Sequence, residues 1–481
     1  MIGGKRIFKN TVFLMLSSVV SLGISLVTTS LIARSIGPEL YGKYTFGLSY
    51  ILLFSVLANF GLESLFIREA ARDRKNISEM IFDILHLKVV LALFAIGAII
   101  VSINIFHYPK STINIVYILC IGLFFQILSN SVLAVYRSLE RMGIIACFGL
   151  GFRVISAIIV IASIYFKVGL VGIVSAFSIG NAAVFFVSIM LFYKEFKLMR
   201  LKVSLRKWVE LARRGMPFYI SALLTMVYFK INVVMLSKMR GELEVGFYMA
   251  AATLVESLLF ISEAFNTSVF PAFSRIHGSA TDALELAYKK AIKYLILVTT
   301  AICTGTLLVG KQIILLIYGK EFLSSANALM ILIFFWAFLF ISTTMSTLLF
   351  SIRKEVTQMK IMVFACLINI SLNIILIKEY GYIGCALSST ISEAFVIGMI
   401  GLVLWRTNLR FRLDWHFSRH LLSLGSMILI VLLLRGVNVL MGIAGGAVSY
   451  VFLLFLLKVF DSEEVKIMKS LVTRETLEGN L

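Results

Sequence analysis

The sequence predicts an all-α membrane protein: about fourteen transmembrane helices, as two parallel six-helix lobes around a central cleft, with two further C-terminal helices. Composition comes first. Sixty per cent of the 481 residues are hydrophobic and 15% are charged, with a mean hydropathy of +0.98. Apolar runs of about 20 residues recur along the chain, each long enough to cross a hydrocarbon core. The second observation is charge alternation between those runs, and the third is an internal repeat.

The spans are 11–33, 44–67, 85–106, 113–136, 144–166, 168–193, 216–237, 246–271, 291–310, 325–352, 359–377, 382–405, 420–437 and 440–457. The first reads as a span and not as a cleavable leader, because it is too long and has no small-residue cleavage site. Connections on alternate sides then divide the basic residues unequally. One side holds 31 of the 45 Lys and Arg residues and the other holds 10. That bias places both termini in the cytoplasm. A net charge of +20 therefore points to cytoplasmic loops and anionic lipid, and not to nucleic acid. The five cysteines lie inside apolar stretches at unrelated spacings and read as buried small hydrophobes.

The repeat is visible in two turns. "SLIARSIGPELYGKYTF" (30–46) and "VMLSKMRGELEVGFYMA" (234–250) place Gly37/Gly241, Gly42/Gly246 and Tyr44/Tyr248 204 positions apart. Phe66/Phe270 keep that offset, Lys88/Lys293 differ by 205, and Arg141/Arg353, Gly169/Gly381 and Gly172/Gly384 differ by 212. Six spans separate the copies, an even number, so both enter the membrane in the same direction. The halves are 1–193 and 215–405, followed by two extra helices over 406–460 and a tail, 461–481. The linker 194–214 presents Leu201, Leu205, Trp208 and Leu211 near one face and reads as an interfacial cytoplasmic helix. Two parallel lobes around a cleft form a transporter plan, in which rocking exposes a midplane site to each side.

The pattern Arg-x-x-Gly-Pro-x-x-x-Gly-x-Tyr at Arg34–Tyr44, "GLESLFIREAAR" at 61–72 and "VFPAFSRIHG" at 269–278 carry a family resemblance. Over roughly residues 5–405 the chain resembles polysaccharide repeat-unit (O-antigen type) flippases. These belong to the multidrug/oligosaccharidyl-lipid/polysaccharide exporter superfamily, which includes lipid II flippases and multidrug exporters. The resemblance implies twelve core helices, often with two more. It also implies a polyprenyl phosphate- or pyrophosphate-linked oligosaccharide as substrate, turned from the cytoplasmic to the outer leaflet of the cell membrane. Membrane lipids and other glycan-assembly membrane proteins are the partners it suggests.

Such a transfer needs fixed cations for phosphate and hydroxyl or amide groups for sugar. The cations are Arg153 and Lys230 in mid-span, with Arg68, Arg137, Arg275 and Arg353 at cytoplasmic ends. Lys230 reads either as a substrate contact or as the ion-pair partner of Glu63, Glu256, Glu263 or Glu393. Lys88 and Lys293 read as snorkelling, and the end arginines also report topology. A hydroxyl face that includes Ser21 and Ser25, and the pair Gln126 and Asn130, suit either a cleft wall or helix packing. Asn232, Asn369 and Asn373, with Ser388, match by resemblance the sodium site of lipid II flippases. No carboxylate stands in span 11, however, so interhelical hydrogen bonding is the other reading. Protonation of Glu256, Glu263 or Glu393 is the rival coupling scheme; sodium and the proton are the candidate ions, and no cofactor is expected.

His416 and His420 read as a solvated loop pair rather than a metal site. No Walker loop is present. Span 1 and span 10 lack the acidic residue usual in multidrug exporters, which weighs against that alternative. A lipid II flippase is the other alternative and differs only in headgroup; a membrane-embedded glycan polymerase or ligase is weaker still, because the outer connections are short and hold no acid/base cluster.

Overall fold

The computed structural model describes residues 2–72, 77–196, 205–276, 281–407 and 417–460, apart from the side chains of 2–16, 71–72, 78–79, 271–272, 274–276, 281–283 and 417. Leu201, Arg74, Lys75, Arg410, Arg412, His416 and the expected tail lie outside the described residues. The N-terminal half comprises α1 (Ile2–Asn59), α2 (Leu62–Arg72), α3 (Ile77–Ile105), α4 (Lys110–Ser138), α5 (Met142–Tyr165) and α6 (Leu170–Glu195). The C-terminal half comprises α7 (Leu205–Arg240), α8 (Glu242–Ser257), α9 (Leu259–Ile276), α10 (Thr281–Ile317), α11 (Ser325–Ser351) and α12 (Glu355–Arg406). Helices α13 (Phe417–Leu434) and α14 (Val439–Leu456) follow. Among the described residues there is no strand, as hydrocarbon requires of backbone that must satisfy its own hydrogen bonds.

Among the described residues, eleven helices are long and apolar enough to cross a membrane, and two of these are of double length, at 43 and 52 residues. Each double helix breaks at one glycine, Gly37 (φ 75°, ψ 174°) and Gly381 (φ 57°, ψ −132°). Counting these two twice and adding the shorter apolar helix Ser418–Leu434 gives the fourteen crossings read from the sequence. The repeat carries the same breaks: Gly241 (φ 88°), partner of Gly37, and Gly169 (φ 76°), partner of Gly381, are also left-handed. A residue with a Cβ is strained in that region.

The two halves meet through the repeated turns. A Cβ on Gly42 would stand 1.8 Å from the Glu242 carbonyl oxygen, and one on Gly246 would stand 2.0 Å from the Pro38 carbonyl oxygen. Pro38 and Glu242 are themselves 204 positions apart, so each turn offers its glycine to the other's carbonyl, as in a two-fold interface. Polar contacts repeat the exchange. Arg34 Nε donates to the Ile317 carbonyl at the end of α10 (2.9 Å), and Lys238 Nζ donates to the Phe106 carbonyl just beyond α3 (2.7 Å). Each half therefore caps the third span of the other with a cation, where the helix dipole favours one. Tyr41 adds an aromatic contact to Tyr318 and Phe322 across the same junction.

Three sequence expectations change. The described part of the linker is no separate interfacial helix: α7 runs without interruption from Leu205 to Arg240. Trp208 and Leu211 pack on the cluster of α2, α3 and α4, and Lys207 reaches Asp83 at 3.5 Å, so this turn is tied to the N-terminal half. Cys147 is exposed, while the other four cysteines are buried. His420 is buried in α13 between Thr300 (3.1 Å) and Tyr450 (3.3 Å); two hydroxyl partners let an imidazole sit in an apolar bundle.

Gly246→Ala forces a methyl group against a carbonyl that cannot retreat, an overpacking cost of about 1–3 kcal/mol. A lowered melting temperature of the detergent-purified protein is the expected result. Gly23→Ala, whose Cβ would meet nothing within 4 Å, should leave it unchanged.

Candidate functional site

The halves also touch at the end opposite the repeated turns. Phe60 stacks on Tyr219 with ring centroids 4.4 Å apart. A Cβ on Gly61 would lie 2.5 Å from the Gly215 carbonyl oxygen. Arg68 covers the Phe218 ring at 5.2 Å, and Arg214 bonds Glu69 at 2.9 Å. Backbone, ring and ion-pair contacts thus join α1 and α2 to α7 at this end, while glycine crossings join α1 to α8 at the other.

The two mid-span cations each have a partner from their own half. Arg153 on α5 is exposed and donates to Ser25 on α1 (3.3 Å). Lys230 on α7 is 3.2 Å from Glu256 on α8, the pairing that the sequence left open. Ser21, Gln126 and Asn130 are half-buried on α1 and α4. Arg353 is exposed in the turn between α11 and α12 with φ 57°. The side chain of Arg275, on α9, lies outside the described residues.

Lys88 does not snorkel. Its ammonium is fully buried, 2.7 Å from Glu63, and Arg137 stands 3.7 Å from the other oxygen of that carboxylate. The pair forms because α2 turns back over α3 and α4, a turn set by the left-handed Phe60 and Gly61 that no span count reveals. A buried ammonium without that carboxylate would be prohibitively costly.

The three asparagines do come together. Asn373 Nδ2 donates to Asn232 Oδ1 (2.6 Å) and to Asn369 Oδ1 (3.1 Å), Asn232 Nδ2 donates to Ser389 (2.9 Å), and Ser388 donates to Asn373 Oδ1. Every amide oxygen in the group already accepts a bond. Glu393 is also buried, and it accepts from Tyr228 (2.6 Å) and from Ser342. Sequence reasoning missed Tyr228, Ser342 and Ser389. Their hydroxyls carry no charge or motif, and only the packing of α7, α11 and α12 shows where they point.

Glu393 and Glu263 line one cavity of about 920 Å³ inside the C-terminal half, walled by α7, α9, α11 and α12. Lys230, Arg153 and Glu256 do not line it. Among the described residues no group of three or more His, Cys, Asp or Glu is placed to hold a metal.

Comparison with known proteins follows this geometry. The model of a family described as polysaccharide biosynthesis protein matches residues 7–277. A Shigella dysenteriae protein assigned as an O-antigen transporter is 26% identical over 203 residues, which is 42% of this chain. The chain spans about half the length of that relative, 49%. Among solved structures, the lipid II flippase MurJ in an inward closed conformation is similar with a TM-score of 0.78 and 16% identity, over 93% of this chain and 99% of that one. An inward-facing multidrug resistance transporter of the same superfamily gives 0.65 and 17% identity, over 82% and 98%. A superfamily transporter from Pyrococcus furiosus gives 0.60 and 17%, over 84% and 95%. These likenesses show a shared fold.

Lys88→Met takes from Glu63 its closer partner, leaving only Arg137 at 3.7 Å, and should cost up to about 3–5 kcal/mol of stability. Thermal melting of purified protein reads that loss. The double replacement Lys88→Met/Glu63→Leu, which removes both buried charges, should recover most of it.

Proposed function

Because the chain belongs to the polysaccharide biosynthesis protein family, we propose that it is a flippase for a lipid-linked oligosaccharide. The lipid is a polyprenyl phosphate or pyrophosphate, and the headgroup passes from the cytoplasmic to the outer leaflet by alternating access. Both termini are cytoplasmic in this reading, which puts the Phe60–Tyr219 junction on the cytoplasmic side and the glycine crossing on the outer side. One observation carries it: the halves touch through separate contact sets at opposite ends, the arrangement that rocking must open one end at a time. With both closed, the state is an occluded step of the cycle.

Arg153 and Lys230 are the cations for phosphate. Ser25 and Glu256 hold them in this state, and an arriving phosphate would take over both. In the asparagine cluster each amide oxygen accepts from one neighbour, and among the described residues no carboxylate is bonded to the group to offset a sodium charge. A proton on Glu393, Glu256 or Glu263 is therefore the coupling scheme this geometry favours. Glu393 is the first choice, because its two hydroxyl partners come from separate helices that a proton would release.

The test is leaflet transfer of a polyprenyl-pyrophosphate-linked oligosaccharide in liposomes that hold the purified protein, under sodium and proton gradients. Transfer above empty liposomes, accelerated by the proton gradient, is expected. Arg153→Ala and Lys230→Ala should each slow it about tenfold, the change given by a loss of about 1.4 kcal/mol in transition-state binding. Normal rates in both variants, correctly inserted, would remove those residues from the site. Efflux of a cationic dye without lipid transfer would instead mark a drug exporter.

A further inference from the structure

The cavity inside the C-terminal half is chemically unlike the rest of the protein. The chain carries a net charge of +20, yet no Lys, Arg or His lines this chamber among the described residues, and Glu263, Glu355 and Glu393 do. Its wall also has a direction. Thr225, Thr267, Thr343, Ser346 and Thr347 all line it, and each spends its hydroxyl proton on a carbonyl of its own helix at 2.7–3.0 Å. What these side chains still offer to the chamber is oxygen lone pairs.

Two further residues of the wall each hold an atom without a partner. Gln358 Oε1 and Ser262 Oγ are buried and make no hydrogen bond, on residues 8% and 4% exposed. Leaving such atoms unbonded is costly, so unpaired examples point to a missing partner. Tyr228, Phe229 and Phe350 supply apolar surface beside them.

An acceptor-rich, cation-free chamber excludes one ligand class and selects another. Phosphate brings only acceptors and negative charge, and meets three carboxylates and no cation here. A bare metal ion needs oxygens converging at about 2.3–2.6 Å, whereas 920 Å³ is the size of an organic-ligand pocket. A sugar ring brings several hydroxyl donors and an apolar C–H face, and matches both features of the wall.

We propose that this chamber is a glycan subsite, which takes an uncharged, hydroxyl-rich sugar unit of the transported headgroup. The inference rests on the flippase reading. It divides the headgroup between two places: phosphate at Arg153 and Lys230, sugar within α7, α9, α11 and α12. Gln358 accepts from one sugar hydroxyl, and the threonine and serine oxygens accept from its neighbours.

The experiment places one reporter cysteine, Thr347→Cys, in a chain whose exposed Cys147 is changed to alanine, and measures maleimide labelling in proteoliposomes that also support the transfer assay. Two probes are compared: polyprenyl-pyrophosphate-linked oligosaccharide and the same polyprenyl pyrophosphate without sugar. The glycan-bearing lipid should slow labelling at least fivefold and the bare carrier should not. Gln358→Leu should abolish that protection without lowering the melting temperature, since the oxygen it removes is buried and unpaired. Equal protection by both lipids would overturn the glycan subsite, as would transfer with no protection. Protection by the glycan-bearing lipid without transfer would sustain the subsite and sink the flippase reading, and neither protection nor transfer would sink both.

Discussion

Everything in this structure turns on how closely two polypeptide backbones can approach inside hydrocarbon. Lipid tails are as apolar as leucine, so helices gain little by hiding apolar side chains from them, and packing and polar contacts must hold the halves together. At Gly42 and Gly246 the chain removes the side chain altogether and lets carbonyls from the facing turn fill the space. Gly61 and Gly215 do the same at the far end. Around the first crossing, Arg34 and Lys238 each reach the end of a helix in the other half, and Glu244 accepts from the Tyr382 amide at 2.8 Å. The junctions are thus made of backbone, ring and short polar contacts.

Charge follows a second rule. The embedded cations of known position have partners: Lys88 has Glu63, Lys230 has Glu256, and Arg153 has Ser25. Those pairs differ in burial. Lys88 is sealed, with a structural pair that sets the position of α2. Glu256, at 43% exposure of its side chain, leaves the Lys230 pair open to exchange. The acidic cavity beyond them keeps cations out of its wall, so the two kinds of polar surface remain in separate places.

Much of the architecture was legible in the sequence because it depends on periodic and repeated features. Apolar run length sets the crossings, and the 204-residue offset found the turns whose glycines meet. Spacing put Asn369 and Asn373 on one helix face, and the family resemblance, not the spacing, grouped them with Asn232. Side-chain partners were less legible. Lys88 looked like a residue near a span end, and its burial follows from the bend at Phe60 and Gly61, a backbone event without a composition signal. His420 looked like loop because its neighbours are charged, while its environment is set by Thr300 and Tyr450 from other helices. The cavity was invisible for the same reason: its wall comes from four helices, and the direction of each hydroxyl depends on local backbone geometry.

The unbroken course of α7 has a mechanical consequence. Lys238 and Arg240 fasten one end of this rod, to the carbonyl beyond α3 and to the Ile377 and Lys378 carbonyls of α12, and Gly215 and Tyr219 lie near the other. The 25 steps from Gly215 to Arg240 span about 37 Å at about 1.5 Å per residue, so a tilt of about 10° at the Arg240 end would sweep the Gly215 end through about 6 Å. That exceeds the 4.4 Å between the Phe60 and Tyr219 rings. A small rotation at a fulcrum of backbone contacts is thus geared up into a full parting of the jaws, with no helix required to bend.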